Sequence, residues 1–332
     1  MLKMASERLN TVYRHLKGSK TSNVYPKCVS AATYPLYSSV GEFRYTLDNP
    51  ILSRGQRQFY EENGYILIPR LVDDDLIEEC RLRFLDYCEG RIPKGNITMM
   101  KDISLAKTNA KGEYLINKIQ DIVWDDVLSK YFLMPKLLDY VECFTGPNIM
   151  AMHTMLINKP PDSGKETSQH PPHQDLHYFP FRPADRIVAA WTAMEKVTRD
   201  NGCLFVVPGS HRGVLLKHEY PKLENGVNKA YHGIQGYDTI EKVELPMEKG
   251  DTVFFHPLLI HGSGVNKTRG FRKAISCHYA ASDCEYIDVT GSLQEEVAKE
   301  IEDMAKRKGL SLNFQEVWKY RSRLARGSEL NL

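Results

Sequence analysis

Cysteine is scarce and unpaired: the 332 residues hold seven, scattered, odd in number and without a Cys-x-x-Cys pair. That excludes a disulfide framework and points to reduced thiols in an intracellular compartment. No apolar run reaches 18 residues, so no membrane-spanning helix is predicted. A basic excess is also missing, since Lys+Arg 44 stand against Asp+Glu 42. Without that excess, and without a polybasic stripe interleaved with aromatics, nucleic acid is set aside as a partner. The N-terminus lacks the apolar core of a secretory signal, which leaves Asn96-Ile-Thr98 and Asn266-Lys-Thr268 as chance matches to the glycosylation triplet. Length alone suggests about two domains, although double-sheet β folds often use such a length as one.

What is present concentrates in the stretch Ser168-Gln-His-Pro-Pro-His-Gln-Asp-Leu-His-Tyr178. Side chains of an extended strand alternate between faces, so His173 and Asp175 project together. Two imidazoles and one carboxylate on one side of a metal, the other side open, suit non-haem Fe(II) enzymes that activate dioxygen. The pair alone is no more telling than a solvated strand end. His177 shares its face, and His170 falls out of phase. His261 supplies a third candidate, at the end of the apolar run 252–260 between the turns Lys249-Gly250-Asp251 and Gly262-Ser263-Gly264. That run reads as one buried strand with a polar tip. By strand parity His256 faces away from His261 and belongs to packed core. His211 is another candidate, but no arginine follows it at the spacing that sets His261 apart.

That arginine is Arg272, eleven residues beyond His261 in the extended run 271–276. Buried in an apolar strand it needs an anionic partner, and a dicarboxylate suits the two-pronged guanidinium. Ser276, four residues on, points the same way.

Around these residues the pattern predicts a short helix from Leu52, with Ser53 and Gln56 as capping box and Asn63-Gly64 as stop. A strand at 65–68, a helix from Asp74 to Gly90 and another over 135–144, with proline in its first turn, follow. Residues 114–120 are expected to be extended, and Lys118 among them reads as solvated. The run 149–157 places Ile149, Ala151, His153, Met155 and Ile157 on one face, with Met155 as core and His153 beside the site. Residues 187–195 alternate with Ala189, Trp191 and Ala193 together, and Asp200-Asn201-Gly202 is a hairpin turn. Residues 212–247 form a polar insertion near the mouth, and the tail from 292 to 327 a pair of covering helices. Strands that follow one another without crossover helices predict a mainly β fold with flanking helices, an antiparallel double-sheet jelly roll.

The combination of His173-x-Asp175, His261 and Arg272 resembles the Fe(II)- and 2-oxoglutarate-dependent oxygenases. Within them, Tyr140-Val-Glu-Cys-Phe-Thr-Gly-Pro-Asn-Ile149, His173-Gln-Asp-Leu-His-Tyr-Phe-Pro-Phe-Arg-Pro183, Asn201-Gly-Cys-Leu204 and Gly250-Asp-Thr-Val-Phe-Phe-His-Pro-Leu-Leu-Ile-His-Gly-Ser-Gly264 resemble the phytanoyl-CoA dioxygenase family. The likeness runs from about Tyr45 to the C-terminus. It implies a double-stranded β-helix core at about 97–290 in one oxygenase domain of residues 41–332, behind a leader of residues 1–40. It implies His173, Asp175 and His261 as metal ligands, which leaves His177 either behind the ligands or on the substrate side, and a 2-oxoglutarate pocket of Lys118, Met155, Gln174, Trp191 and Arg272. Fe(II), 2-oxoglutarate, dioxygen and ascorbate are the implied cofactors and co-substrates. The implied reaction is 2-hydroxylation of phytanoyl-CoA and related 3-methyl-branched acyl-CoAs, coupled to oxidative decarboxylation of 2-oxoglutarate to succinate and CO2. The string from Arg8-Leu9 to His15-Leu16 resembles an N-terminal peroxisomal address, with cleavage expected near Cys28. It implies an import receptor as a partner, and a lipid-carrier protein is a further expected one. Three other readings stand beside this one: a related oxygenase with another small substrate, a non-catalytic lipid-binding module, and a zinc hydrolase. The intact ligand set speaks against the second, and the distal arginine has no task in the third.

Overall fold

Ser53 accepts the backbone N–H of Gln56 while the Gln56 side chain accepts that of Ser53, and this capping box opens α1, Arg54–Asn63. Such a cap is worth about 1 kcal/mol. Gly64 ends the helix at φ +79, and a Cβ there would lie 2.4 Å from the His211 ring, so backbone and space both demand glycine. The computed structural model describes residues 43–332 apart from 222–227, 229, 238 and 239. The Arg8 to Leu16 string and the rest of the expected leader lie outside the described residues.

After β1, Tyr65–Ile68, comes α2, Asp74–Cys88, which buries Ile77, Cys80 and Phe84 on one side. β2, Thr98–Lys101, pairs antiparallel with β3, Ile116–Gln120. The short α3, Ser129–Phe132, and α4, Pro135–Thr145, lead into β4, Ile149–Lys159. Then follow β5, His170–His173, β6, Phe181–Arg182, β7, Ile187–Ala193, and β8, Leu204–Val206. The insertion holds β9, His218–Glu219, β10, Gly233–Ile234, and β11, Val243–Leu245. β12, Thr252–Phe255, β13, His261–Ser263, β14, Arg272–Ala281, and β15, Glu285–Tyr286, complete the barrel. The tail forms α5, Glu295–Arg307, α6, Phe314–Arg321, and a strand the sequence did not signal, β16, Arg323–Arg326.

The strands make an antiparallel eight-stranded sheet in the order β1-β12-β7-β14-β4-β3-β2, with β16 on β4, and a four-stranded sheet β11-β8-β13-β5. This is the expected jelly roll. One core, with Phe84, Phe132 and Phe144, fills the space between α2–α4 and the large sheet, and a second, with Trp191, Val206 and Phe255, lies between the sheets. A third, around Phe181 and Trp318, sits under α5 and α6. Among the described residues no helix is long and apolar enough to cross a membrane.

Three local expectations change. The run 252–261 is two strands on different sheets: Leu259 N–H turns back to the His256 carbonyl, and Pro257 has no N–H to continue a ladder. The turn at Asp200-Asn201-Gly202 closes on itself, Cys203 N–H to Thr198 carbonyl, and passes the chain from the large sheet to the small one instead of joining a hairpin. In β4, His278 pairs with His153 but Tyr279 with Ala151, so Met152 is an extra residue in a bulge. Ile149 and Ala151 therefore join the core under the helices, while His153 and Met155 face the barrel interior.

Candidate metal centre

Sheet register brings the two histidines together. His173, last in β5, pairs directly with His261, first in β13, and their rings lie 4.2 Å apart. The His173 Nδ1–H donates to the Pro171 carbonyl at 2.8 Å and the His261 Nδ1–H to the Leu259 carbonyl at 3.0 Å. Both tautomers are thereby fixed with Nε2 facing inward, as metal-ligating histidines require. Asp175 arrives by a route other than strand alternation: β5 stops at His173, and Asp175 opens a 3-10 turn over Asp175–Tyr178. The extended Gln174 between them keeps the carboxylate on the imidazole side. Its carboxylate oxygens lie 3.4 Å from His173 Nε2 and 3.6 Å from His261 Nε2. One ligand atom from each residue falls within 4.8 Å of the others, and all three side chains are buried.

Burial alone would raise the Asp175 carboxyl, but His261, His278 and His173 outweigh it and hold it well below the usual range. Burial pushes His261 down to about 4, against the pull of Asp175. A neutral His261 imidazole beside an ionised Asp175 is the donor state that a divalent cation takes.

The interior face of β14 continues the site. His278, Ser276 and Arg272 lie on it in file, two and four residues apart. Arg272 is 1% exposed, its guanidinium carbon 5.4 Å from the Trp191 ring centre, and its Nε and Nη1 have no hydrogen-bond partner among the described residues. Ser276 Oγ is also buried without one. Burial pushes Arg272 down to about 10, partly countered by Tyr231, Cys203 and Glu195. Lys118 is likewise buried, 4.8 Å over the Tyr231 ring, and burial followed by Arg321 lowers it to about 8. The solvated reading of Lys118 is therefore corrected. Two buried cations and orphaned donors leave an anionic ligand as the missing partner. A cavity of about 470 Å³, into which Lys118, Met155 and the His173/Asp175 cluster project, opens from here to the surface.

The family model described as phytanoyl-CoA dioxygenase matches residues 60–274. The peroxisomal phytanoyl-CoA dioxygenase of Rattus norvegicus is 54% identical over 99% of this chain and 98% of its own, and that of Homo sapiens 53% over the same shares. The chain belongs to the phytanoyl-CoA dioxygenase family. A probable phytanoyl-CoA dioxygenase of Caenorhabditis elegans is 56% identical over 88% of this chain and 99% of its own. Among solved structures, EctD from S. alaskensis with bound Fe matches with TM-score 0.55 at 18% identity, over 74% of this chain and 82% of that one. The epimerase SnoN in complex with Fe3+, alpha ketoglutarate and nogalamycin RO matches with TM-score 0.52 at 19% identity, over 69% and 83%. These two likenesses carry the fold.

Of the remaining candidates Gln174 departs from its sequence reading, whereas His153, His211 and His256 follow theirs. Gln174 does not line the cavity: its amide donates to the Val214 and Leu258 carbonyls and accepts the Leu216 N–H, locking the turn between His173 and Asp175. His177 is swung aside by the 3-10 turn and stacks on His218 at 4.3 Å, and burial, His218 and His232 push it down to about 2. His153 forms cavity wall, stacked on His278 and 3.3 Å from the Gln120 amide. His211 sits far off against Tyr45, and His256 is buried beside Asp185.

Two residues went unread in the sequence. His278 Nε2–H donates to Asp175 Oδ2 at 2.7 Å, and strand parity with Arg272 was the signal that could have found it. Tyr231, from the polar insertion, stacks on His170 at 4.1 Å, and His170 on His173 at 4.0 Å. The insertion is held there by Asn228, which donates to Asp102 and to the Thr167 carbonyl.

Proposed function

We propose that this chain hydroxylates phytanoyl-CoA and related 3-methyl-branched acyl-CoAs at carbon 2, coupled to oxidative decarboxylation of 2-oxoglutarate to succinate and CO2. The supporting observation is the convergence of His173, Asp175 and His261 on one point, beside a wholly buried Arg272 whose Nε and Nη1 have no hydrogen-bond partner among the described residues. In this reading those three hold Fe(II), which when bound supplies the activation of dioxygen. Arg272 and Ser276 bind the distal carboxylate of 2-oxoglutarate, Trp191 and Met155 bound its chain, and Lys118 adds charge at its other end. The apolar walls exclude water from the reacting carbon. Ascorbate serves as the reductant that keeps iron in the ferrous state. Residues 41–332 act as one oxygenase unit, and peroxisomal entry through the Arg8 to Leu16 string by an import receptor fits the names of the mammalian relatives. A lipid-carrier protein is a further partner in this reading.

The test is succinate release from 2-oxoglutarate by the purified protein with Fe(II) and ascorbate, with and without phytanoyl-CoA, counting 2-hydroxylated product. Stimulated succinate matched by product is the expected result. Succinate without acyl product discards the substrate, and no succinate at all discards the reaction.

A further inference from the structure

The cavity that starts at the metal centre does not end among apolar residues. Its outer wall is the last turn of α5 and the loop before β2, and there Lys94, Arg307 and Lys308 line the opening. Lys308 spans the two, contacting Thr98 Oγ1 and lying 3.5 Å from Asp121. Lys94 and Arg307 are exposed and have no ion pair among the described residues. Asp121 is the carboxylate on this rim, and Arg321 already holds it at 2.5 Å. Arg321 lines the same passage, and its Nη2 is buried without a hydrogen-bond partner among the described residues. Deeper in, Glu300 is occupied by Tyr220 and His232. Between rim and metal the α5 wall is apolar, with Ile301 and Met304. A ligand that fits this passage carries several negative charges on one end, hydrogen-bonding amides in the middle and an apolar reacting end.

We propose that Lys94, Arg307 and Lys308 form the docking site for the phosphates of coenzyme A, with Arg321 Nη2 donating to a pantetheine carbonyl on the way to the metal. This rests on the acyl-CoA reading above. The three cations face solvent, so they act as a screened electrostatic clamp and not as buried ion pairs.

The experiment compares wild type with Lys94→Glu/Arg307→Glu, neither residue taking part in the metal or 2-oxoglutarate sites. KM for phytanoyl-CoA is measured against salt, beside KM for the pantetheine thioester of the same acid, which lacks the nucleotide phosphates. Reversing two charges is expected to raise KM for the CoA ester at least tenfold at low salt and flatten its salt dependence. KM for the pantetheine ester, KM for 2-oxoglutarate and succinate release without acyl substrate should stay within twofold. An unchanged KM for the CoA ester, or an equal rise for both esters, overturns the docking site. Binding of free coenzyme A is measured in parallel. If wild type hydroxylates neither ester, the acyl-CoA reading falls. The site then stands only if coenzyme A binds wild type at least tenfold more tightly than the variant, and falls if the two bind alike.

Discussion

Asp175 is the residue on which the candidate site turns, because it faces both ligand histidines and a third one behind it. Asp175→Ala is expected to abolish iron-dependent succinate release, and unchanged turnover would remove the assignment. His278 acts through that carboxylate, so His278→Ala is expected to weaken Fe(II) binding by 10–100-fold, the usual effect of losing an outer partner. His278→Gln, which can still donate, should recover part of it, and a Co(II) titration reads both. Lys118 can be tested through stability. Its folded value, about 8, lies below the 10.5 of an exposed lysine, so the charged form opposes folding. That opposition is complete below pH 8, shrinks as pH rises towards 10.5 and then disappears, and its size is on the order of 3 kcal/mol. Without co-substrate, Lys118→Met should be more stable than wild type at pH 7 and indistinguishable from it near pH 11 in chemical denaturation. A constant difference across that range would place the lysine in contact with solvent.

At the scale of elements, what the sequence revealed was what local chemistry decides. α1 with its capping box, β1, and α4 with its N-terminal proline form within a residue or so of their expected bounds, because caps and turns act over three or four positions. The bulge at Met152 was invisible, since it depends on which residues of β14 lie opposite. The break between β12 and β13 was hidden for a related reason: an apolar run looks alike whether it feeds one sheet or two. His278 carried no motif of its own, and its meaning came from Asp175, distant in sequence. Close packing of β13 on β5 gives an element-level test. A Cβ on Gly262 would lie 2.5 Å from the Phe205 ring and 2.7 Å from the His170 carbonyl. Gly262→Ala must therefore push apart the strands that carry His261 and His173. We expect a loss of metal affinity of tenfold or more with the circular-dichroism spectrum retained, and wild-type affinity would show that β13 shifts without disturbing its neighbour.

For the whole molecule, the site is a seam: one ligand-bearing edge belongs to the small sheet, and the arginine and the supporting histidine to the large one. Ligands that join the two sheets stabilise only the folded state, by about 2.7 kcal/mol at a hundredfold excess over Kd. Adding Fe(II) with 2-oxoglutarate under anaerobic conditions should raise the melting temperature by several degrees, a chelator should reverse it, and 2-oxoglutarate without metal should do less. No shift would argue that the three side chains meet without binding a metal. The pairing of Asp175 with His278 spans 103 residues of chain, and His173 waits almost as long for His261. On a ribosome, the first half of the metal site is therefore made long before its second half exists. No growing chain holds all three ligands before His261 of β13 has emerged, and the histidine that orders Asp175 follows only with β14, so the supported donor set belongs to a nearly full-length chain and its loading is governed by where that chain completes its folding.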